Sequence, residues 1–124
     1  MIINDPDVLA DVTEIFHIYE KALLANDNVL LETMFLDSTA TVRYGLNDVQ
    51  QGYREVVAFR ATQSAFTRKL DHTIITSYGR NCATASTLFV RDDTPGKIGR
   101  QMQTWVRTET GWKVAAAHVS MMDA

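Results

Sequence analysis

The chain is predicted to fold as an α+β protein, three N-terminal helices packed on a strongly curved, mainly antiparallel sheet. Two observations carry this. Apolar residues recur at helical spacing from Val8 to Ala61, whereas from Thr67 onward the chain is rich in Thr, Ile, Val, Tyr and Phe, with breaks at Gly79-Arg80-Asn81, Asp92 to Gly96 and Thr110-Gly111. The first pattern is that of amphipathic helices and the second that of an antiparallel meander, here of four strands. A sheet of this kind buries one face on the helices and bends around them. Within it, Arg100 to Arg107 and Trp112 to Met122 flank a Thr-Glu-Thr-Gly break, the signature of a hairpin, which makes this pair the expected spine of the sheet.

The elements follow in order. Asp5-Pro6 starts a helix: Asp caps free backbone N–H groups, and Pro at the first helical position lacks only an N–H that would be orphaned. The helix runs to about Ala25, with Val8, Val12, Ile15, Tyr19, Ala22 and Leu23 on one face. Asn26-Asp27-Asn28 breaks it and caps a second helix, Val29 to Leu36, whose apolar side is Leu30, Leu31, Met34 and Phe35. Thr39 to Gly45 reads as a strand with Arg43 opposed to Val42 and Tyr44; a polar turn, Gly45 to Asp48, leads to a short extended piece, Val49 to Gly52. A third helix then carries Tyr53, Val56, Val57, Arg60, Ala61 and Ser64 at helical spacing, with Arg60 where an apolar residue is expected.

A chain of 124 residues fits one domain, residues 1–124, and is long enough to bury a core without staples. Apolar residues make up 46% and charged residues 22%, as in ordinary globular proteins. The net charge of -3 and the absence of a Lys/Arg cluster exclude a nucleic-acid footprint. Neither a leader-like N-terminus nor a membrane-length apolar run is present, so no membrane partner is expected and the cytoplasm is the expected location. Cys82 is alone, which forbids an internal disulfide, and its strand context predicts a small buried hydrophobe.

Polar side chains on faces that otherwise read as buried are the candidates for function: Tyr19, Arg43, Arg60, Gln103 and His118. Strand parity puts Arg43 on the face away from Val42 and Tyr44. If that face meets the helices, the guanidinium is inside, where it must be paired or offered to an anion. The alternative is an outward Arg or a pair with Glu14, Glu20 or Glu32. Arg60 tips the balance, because two inner arginines without a neighbouring acid describe a carboxylate pocket that a guanidinium grips with two bonds. Tyr19 is either a packed core tyrosine or a hydrogen-bond donor and general acid whose pKa a nearby arginine lowers. On the last strand Val114, Ala116, His118 and Ser120 share a face by alternation, so His118 and Ser120 form the expected polar floor of a greasy cavity. His17 is expected on the solvent side of the first helix and His72 on the face of Leu70 and Ile74. The face of Gln101, Gln103, Trp105 and Arg107 fits either a pocket or a dimer contact. No zinc-ligand spacing, phosphate-cradling glycine loop or G-x-S-x-G occurs, so no metal and no cofactor is expected, and any catalysis rests on positioning and hydrogen bonds.

The pattern as a whole resembles the SnoaL-like families with the nuclear-transport-factor-like, cystatin-like cone. Asn4-Asp5-Pro6-Asp7-Val8, Tyr19-Glu20, Thr41-Val42-Arg43-Tyr44-Gly45, Phe59-Arg60, Gly99-Arg100-Gln101 and Ala116-Ala117-His118-Val119-Ser120 are similar to the AtzH/HpxZ group within them. The resemblance spans nearly the whole chain. It implies a cone-shaped roll and a homodimer formed through the sheet. It also implies a decarboxylating amidohydrolase of ureide or s-triazine breakdown, acting on a small dianion such as 1,3-dicarboxyurea, with an amidohydrolase as a pathway partner. Tyr19 and Arg43 match the group's important tyrosine and arginine, which makes them the expected catalytic pair; Arg60, Gln103, His118 and Ser120 are the expected substrate-binding residues. Ser64 to Thr67 and the short Asp92 to Lys97 loop depart from the group, which leaves the substrate open. The competing reading is a non-catalytic protein that binds a small anion or serves an amidase. Isomerase chemistry is disfavoured, since no acid falls on the inner strand faces.

Overall fold

A computed structural model describes residues 1–124. Three helices, α1 (Pro6–Ala25), α2 (Asn28–Met34) and α3 (Tyr53–Ala61), pack on six strands, β1 (Val42–Tyr44), β2 (Val49–Gln51), β3 (Arg68–Tyr78), β4 (Cys82–Arg91), β5 (Lys97–Thr108) and β6 (Gly111–Asp123). The strands form one sheet in the order β2-β1-β6-β5-β4-β3. All pairings are antiparallel except that of β1 with β6. The expected α+β architecture is present, and the β5–β6 hairpin lies in the middle of the sheet. No helix is long and apolar enough to cross a membrane.

Local chemistry accounts for the helix ends. The Asp5 carboxylate accepts from the Asp7 and Val8 N–H groups at 3.1 and 3.4 Å, with Pro6 opening α1. Asn26 closes that helix in the left-handed conformation at φ 54, which Asn tolerates better than most residues. Asp27 caps α2 by accepting from Leu30 N–H at 3.2 Å. The buried stripe of α1 is Val8, Val12, Phe16, Tyr19, Ala22 and Leu23. Phe16, four residues beyond Val12, is fully buried, while the expected Ile15 packs partly buried against the same core. The second helix stops at Met34 rather than Leu36: Phe35 turns extended and bridges Val114, and Leu36 N–H donates to Val114 C=O at 2.9 Å. That bond gives α2 a fixed seat on β6.

Two bulges bend the sheet and alter side-chain parity. In β3 the register slips between Asp71 and Ile74, with His72 at φ 52. His72 therefore lies exposed instead of lining a face with Leu70 and Ile74. In β6 the slip falls at Ala115, since Thr104 pairs with Ala116 but Trp105 with Val114. Trp112 and Val114 point into the core, and beyond the bulge Ala117, Val119 and Met121 line the inner side. This corrects the expected inner row: His118 and Ser120 face the other way. Cys82, at the start of β4, is half-buried rather than enclosed. His17 is exposed, as expected of its place on α1.

The core joins the α1 stripe to Ala83 and Ala85 of β4, Trp105 of β5 and Trp112 and Val114 of β6. Toward the open end of the cone apolar packing gives way to Gln103, Gln101 and the Phe89 ring, which lies over Gly99. A methyl group added at Gly99 would stand 2.1 Å from Phe89, so this glycine is required by a close approach and not by a turn. Gly99→Ala is expected to lower stability by about 1–3 kcal/mol, the range for overpacking. Urea denaturation checks it, and a change within about 0.5 kcal/mol, as at an ordinary surface site, would contradict the close approach.

Candidate functional site

The sheet, α1 and α3 enclose a cavity of about 260 Å³, at the small end for ligand sites, which run from roughly 300 to 1,000 Å³. Tyr19 of α1, Arg43 of β1, Arg60 of α3 and Gln103 of β5 all line it. Strand parity places Arg43 correctly: its Cα partner on β6 is Ala117, which faces the cavity, while Tyr44 is paired with His118 on the outer side. The Tyr44 and His118 rings meet there edge to face at 5.8 Å. His118 and Ser120 thus do not join the other four. The bulge at Ala115 is the physical reason, because it adds one residue to the alternation.

Four guanidiniums gather at the cavity, each over an aromatic ring: Arg43 and Arg60 on Phe59 at 4.5 and 5.0 Å, Arg68 on Phe89 at 4.6 Å and Arg91 on Phe66 at 4.0 Å. Three have carboxylate partners. Arg43 Nη1 donates to Asp48 Oδ1 and Gln50 Oε1, both at 2.8 Å. Arg68 grips Glu20 through Nε at 2.9 Å and Nη2 at 2.6 Å, and Arg91 grips Asp93 at 2.8 and 2.6 Å. The expectation that no acid neighbours Arg43 is therefore corrected by Asp48, five residues along the chain across the Gly45 turn. The alternative pairing of Arg43 with Glu20 is also corrected, because Arg68 holds that carboxylate.

Arg60 differs from the other three. It is 6% exposed, its Nε has no hydrogen-bond partner, and it forms no ion pair. Burial weakens its hold on the proton, Tyr19 opposes this and Arg43 adds to it; a guanidinium nevertheless stays charged at working pH. Four positive groups against three carboxylates leave one positive charge in the cavity wall, on Arg60.

The remaining polar atoms are mostly donors. Gln103 Oε1 accepts from Trp105 Nε1 at 3.0 Å, which fixes the amide and leaves its NH₂ without a partner in the chain. Gln101 Oε1 accepts from Arg68 Nη2 at 3.1 Å, and its buried Nε2 has no partner. Tyr19 packs edge to face on Phe35 and Trp105 at 6.0 and 5.8 Å, and no hydrogen bond within the chain uses its hydroxyl. The expected lowering of this phenol's pKa is corrected: burial raises it, and Arg60, then Arg43 and Arg68, pull the other way without cancelling the rise. At neutral pH Tyr19 is an O–H donor. Asp48 is the one carboxylate in the lining: burial acts to raise its pKa, but the hydrogen bond from Gln50 and the charge of Arg43 outweigh it and hold the carboxyl below its usual range. No three His, Cys, Asp or Glu side chains stand together as a metal site.

Sequence reasoning missed Arg68, Arg91 and Asp48 as cavity groups, and left the face of Gln101 open between pocket and dimer contact. Gln101 shares the face of Gln103 by simple alternation and was legible as such. Asp48 had a weaker signal, a Gly three residues before an Asp in a turn. Arg68 gave none, since its partner Glu20 is 48 residues away.

No protein of curated function matches the chain. Among solved structures it is similar to a protein of unknown function of the DUF3225 family from Pectobacterium atrosepticum, at 48% identity over 98% of this chain and 95% of that one, with a TM-score of 0.93. A cystatin-like fold protein from Burkholderia xenovorans is 42% identical over 100% and 98%, with a TM-score of 0.95. An NTF2-like superfamily protein from Salmonella enterica serovar Typhimurium shares 27% identity over 92% and 90%, with a TM-score of 0.76. These neighbours have the same cone of helices on a curved sheet, and the AtzH-like family profile matches residues 1–124. The chain belongs to the AtzH-like family, on the cystatin-like, NTF2-like fold.

Proposed function

We propose that the protein is a cofactor-free cytoplasmic enzyme that takes a small carboxylated urea or amide, of the 1,3-dicarboxyurea kind, and cleaves a C–N bond with loss of CO₂. The observation that carries this reading is Arg60, a buried guanidinium facing a cavity with no partner of its own. A ligand carboxylate supplies what the fold withholds, and charge-assisted bonds to it are the strong kind. Arg43 lies on the same Phe59 ring, so a second carboxylate has a cation within reach of the same small molecule. Gln101 and Gln103 offer N–H groups to the oxygens between.

The chemistry asked of the protein is modest. When an N-carboxylate releases CO₂, the bonding pair stays on nitrogen, and that nitrogen needs a proton. Tyr19, protonated at neutral pH and lining the cavity, gives it in this reading. The phenolate left behind is stabilised by Arg60, Arg43 and Arg68, the same charges that already act on it, and solvent returns the proton. The step calls for neither a metal nor a nucleophile–base pair.

A second copy of the chain on the outer face of the sheet fits the exposed side chains there. Ile74, Ser86, Met102, His118 and Tyr44 lie in one row across β3, β4, β5, β6 and β1. Ile74, Met102 and Tyr44 are 61, 52 and 47% exposed, and large apolar side chains this exposed, alternating with Ser86 and His118, fit an interface. In this arrangement His118 belongs to the contact between protomers and not to the reaction.

Tyr19→Phe is expected to lower kcat on 1,3-dicarboxyurea by roughly 10²–10⁴-fold with little change in KM, the usual loss on removing a general acid. Arg43→Lys is expected to raise KM, because a point charge does not reproduce the planar fork. Steady-state kinetics with calorimetry on the same compound checks both. Parental turnover in both variants would overturn the assignment, and heat of binding without product in the unaltered protein would make it an anion-binding accessory. Met102→Lys is expected to convert a dimer to a monomer in light scattering; a monomeric parent, or a variant that stays dimeric, would remove the proposed interface.

A further inference from the structure

The proposed chemistry fills the cavity with donors, and a urea or amide brings donors of its own. An N–H placed against Arg60, Gln101 or Gln103 would leave donor facing donor, so the site must also hold an acceptor. Its acceptors are almost all spent. Gln101 Oε1 is taken by Arg68, Gln103 Oε1 by Trp105, and Asp48 Oδ1 receives both Arg43 Nη1 at 2.8 Å and Gln50 Nε2 at 2.9 Å. Asp48 Oδ2 has no side-chain partner; the Asn47 backbone N–H also acts on this carboxyl, and two oxygens with about four lone-pair sites leave capacity for a further donor. The other amides of the lining, Asn47 and Gln63, are exposed.

The turn is shaped to hold this carboxylate. Gly45 N–H donates to Asp48 C=O at 2.9 Å, and the carboxylate folds back over Gly45, where an added methyl group would meet Oδ1 at 2.3 Å and Oδ2 at 2.6 Å. Arg43 and Gln50 fix Oδ1 from the strand side. The second oxygen is thereby presented beside the Arg43 guanidinium, with the side chain 31% exposed. A group that joins an anion to an N–H, such as an N-carboxylated urea, matches this adjacent donor and acceptor. A dicarboxylate without N–H brings only acceptors and sets one near a carboxylate.

Resting on the function proposed above, we infer that Asp48 is a specificity-determining residue whose free carboxylate oxygen accepts an N–H of the ligand next to the carboxylate held by Arg43, so that the cavity selects anionic ureas and amides over dicarboxylates lacking an N–H. The test compares 1,3-dicarboxyurea with 3-oxoglutarate, which has CH₂ in place of each N–H and is otherwise matched in shape and charge. Asp48→Asn keeps an oxygen for Arg43 and Gln50 and turns the free oxygen into an NH₂. Calorimetry of both compounds on the intact protein and on this variant gives the selectivity ratio, from which any general gain from removing a negative charge cancels. The unaltered protein is expected to favour 1,3-dicarboxyurea, and Asp48→Asn to reduce that preference roughly ten- to hundredfold, the loss of one hydrogen bond to a charged group. Asp48→Ala, which vacates the position, is expected to reduce it as well, so that the result does not depend on the Asn amide's orientation. An unchanged ratio in both variants overturns the role of Asp48 and leaves the proposed function standing. Binding of neither compound by the unaltered protein overturns both.

Discussion

A guanidinium that is 6% exposed and bonded to nothing in its own chain sets the terms for the rest of this fold. Taking an uncompensated ion out of water costs several kcal/mol even after relaxation. The Phe59 ring beneath Arg60 returns only part of this, since cation–π contacts contribute roughly 0.5–2 kcal/mol. The surroundings are organised to keep that one charge unspent. Glu20 neutralises Arg68, Asp48 neutralises Arg43 and Asp93 neutralises Arg91, and these pairings prevent any of the three carboxylates from turning to Arg60. Trp105 and Arg68 occupy the oxygens of the two glutamines, which points their N–H groups at the same space. Apart from the second oxygen of Asp48, the cavity is a set of donors, the electrostatic image of a carboxylate.

The sheet makes this arrangement possible by bending. The bulge at Ala115 lets β6 send Trp112 and Val114 into the core and then, past the bulge, place Ala117, Val119 and Met121 along the cavity. The small side chain of Ala117 leaves room beside Arg43, its partner on the neighbouring parallel strand. At the other edge Gly99 yields its side-chain volume to Phe89, and Phe89 in turn supports Arg68. Core packing at one end of the cone and polar positioning at the other are thus carried by the same two strands.

Much of this was legible in the sequence because it depends on local periodicity. The caps at Asp5 and Asp27, the stripe of α1 and the alternation of β5 follow from residue type and spacing alone, and they place Tyr19, Arg60 and Gln103 on inner faces. Arg43 follows from the parity of a strand only three residues long. What failed to show depended on events without a sequence signal. A bulge within Ala115-Ala116-Ala117 leaves no trace, since any of the three alanines fits either face, and it reversed the placement of His118 and Ser120. The Arg68–Glu20 pair joins residues 48 apart, a contact that only the closed sheet creates. Asp48 lay in a turn that reads as ordinary polar surface until the fold brings Arg43 against it.

The central claim is that Arg60 is held at a cost to stability in order to receive an anion, and Arg60→Met tests it most directly. Urea denaturation of this variant and of the parent, without ligand and with saturating 3-oxoglutarate, separates the two consequences. The account predicts a variant more stable than the parent when empty, by on the order of 1–4 kcal/mol as when buried charge gives way to apolar packing, and without the stabilisation that the ligand confers on the parent. An empty variant less stable by about 3–5 kcal/mol, the signature of a broken buried pair, or one stabilised by the ligand as much as the parent, would contradict it.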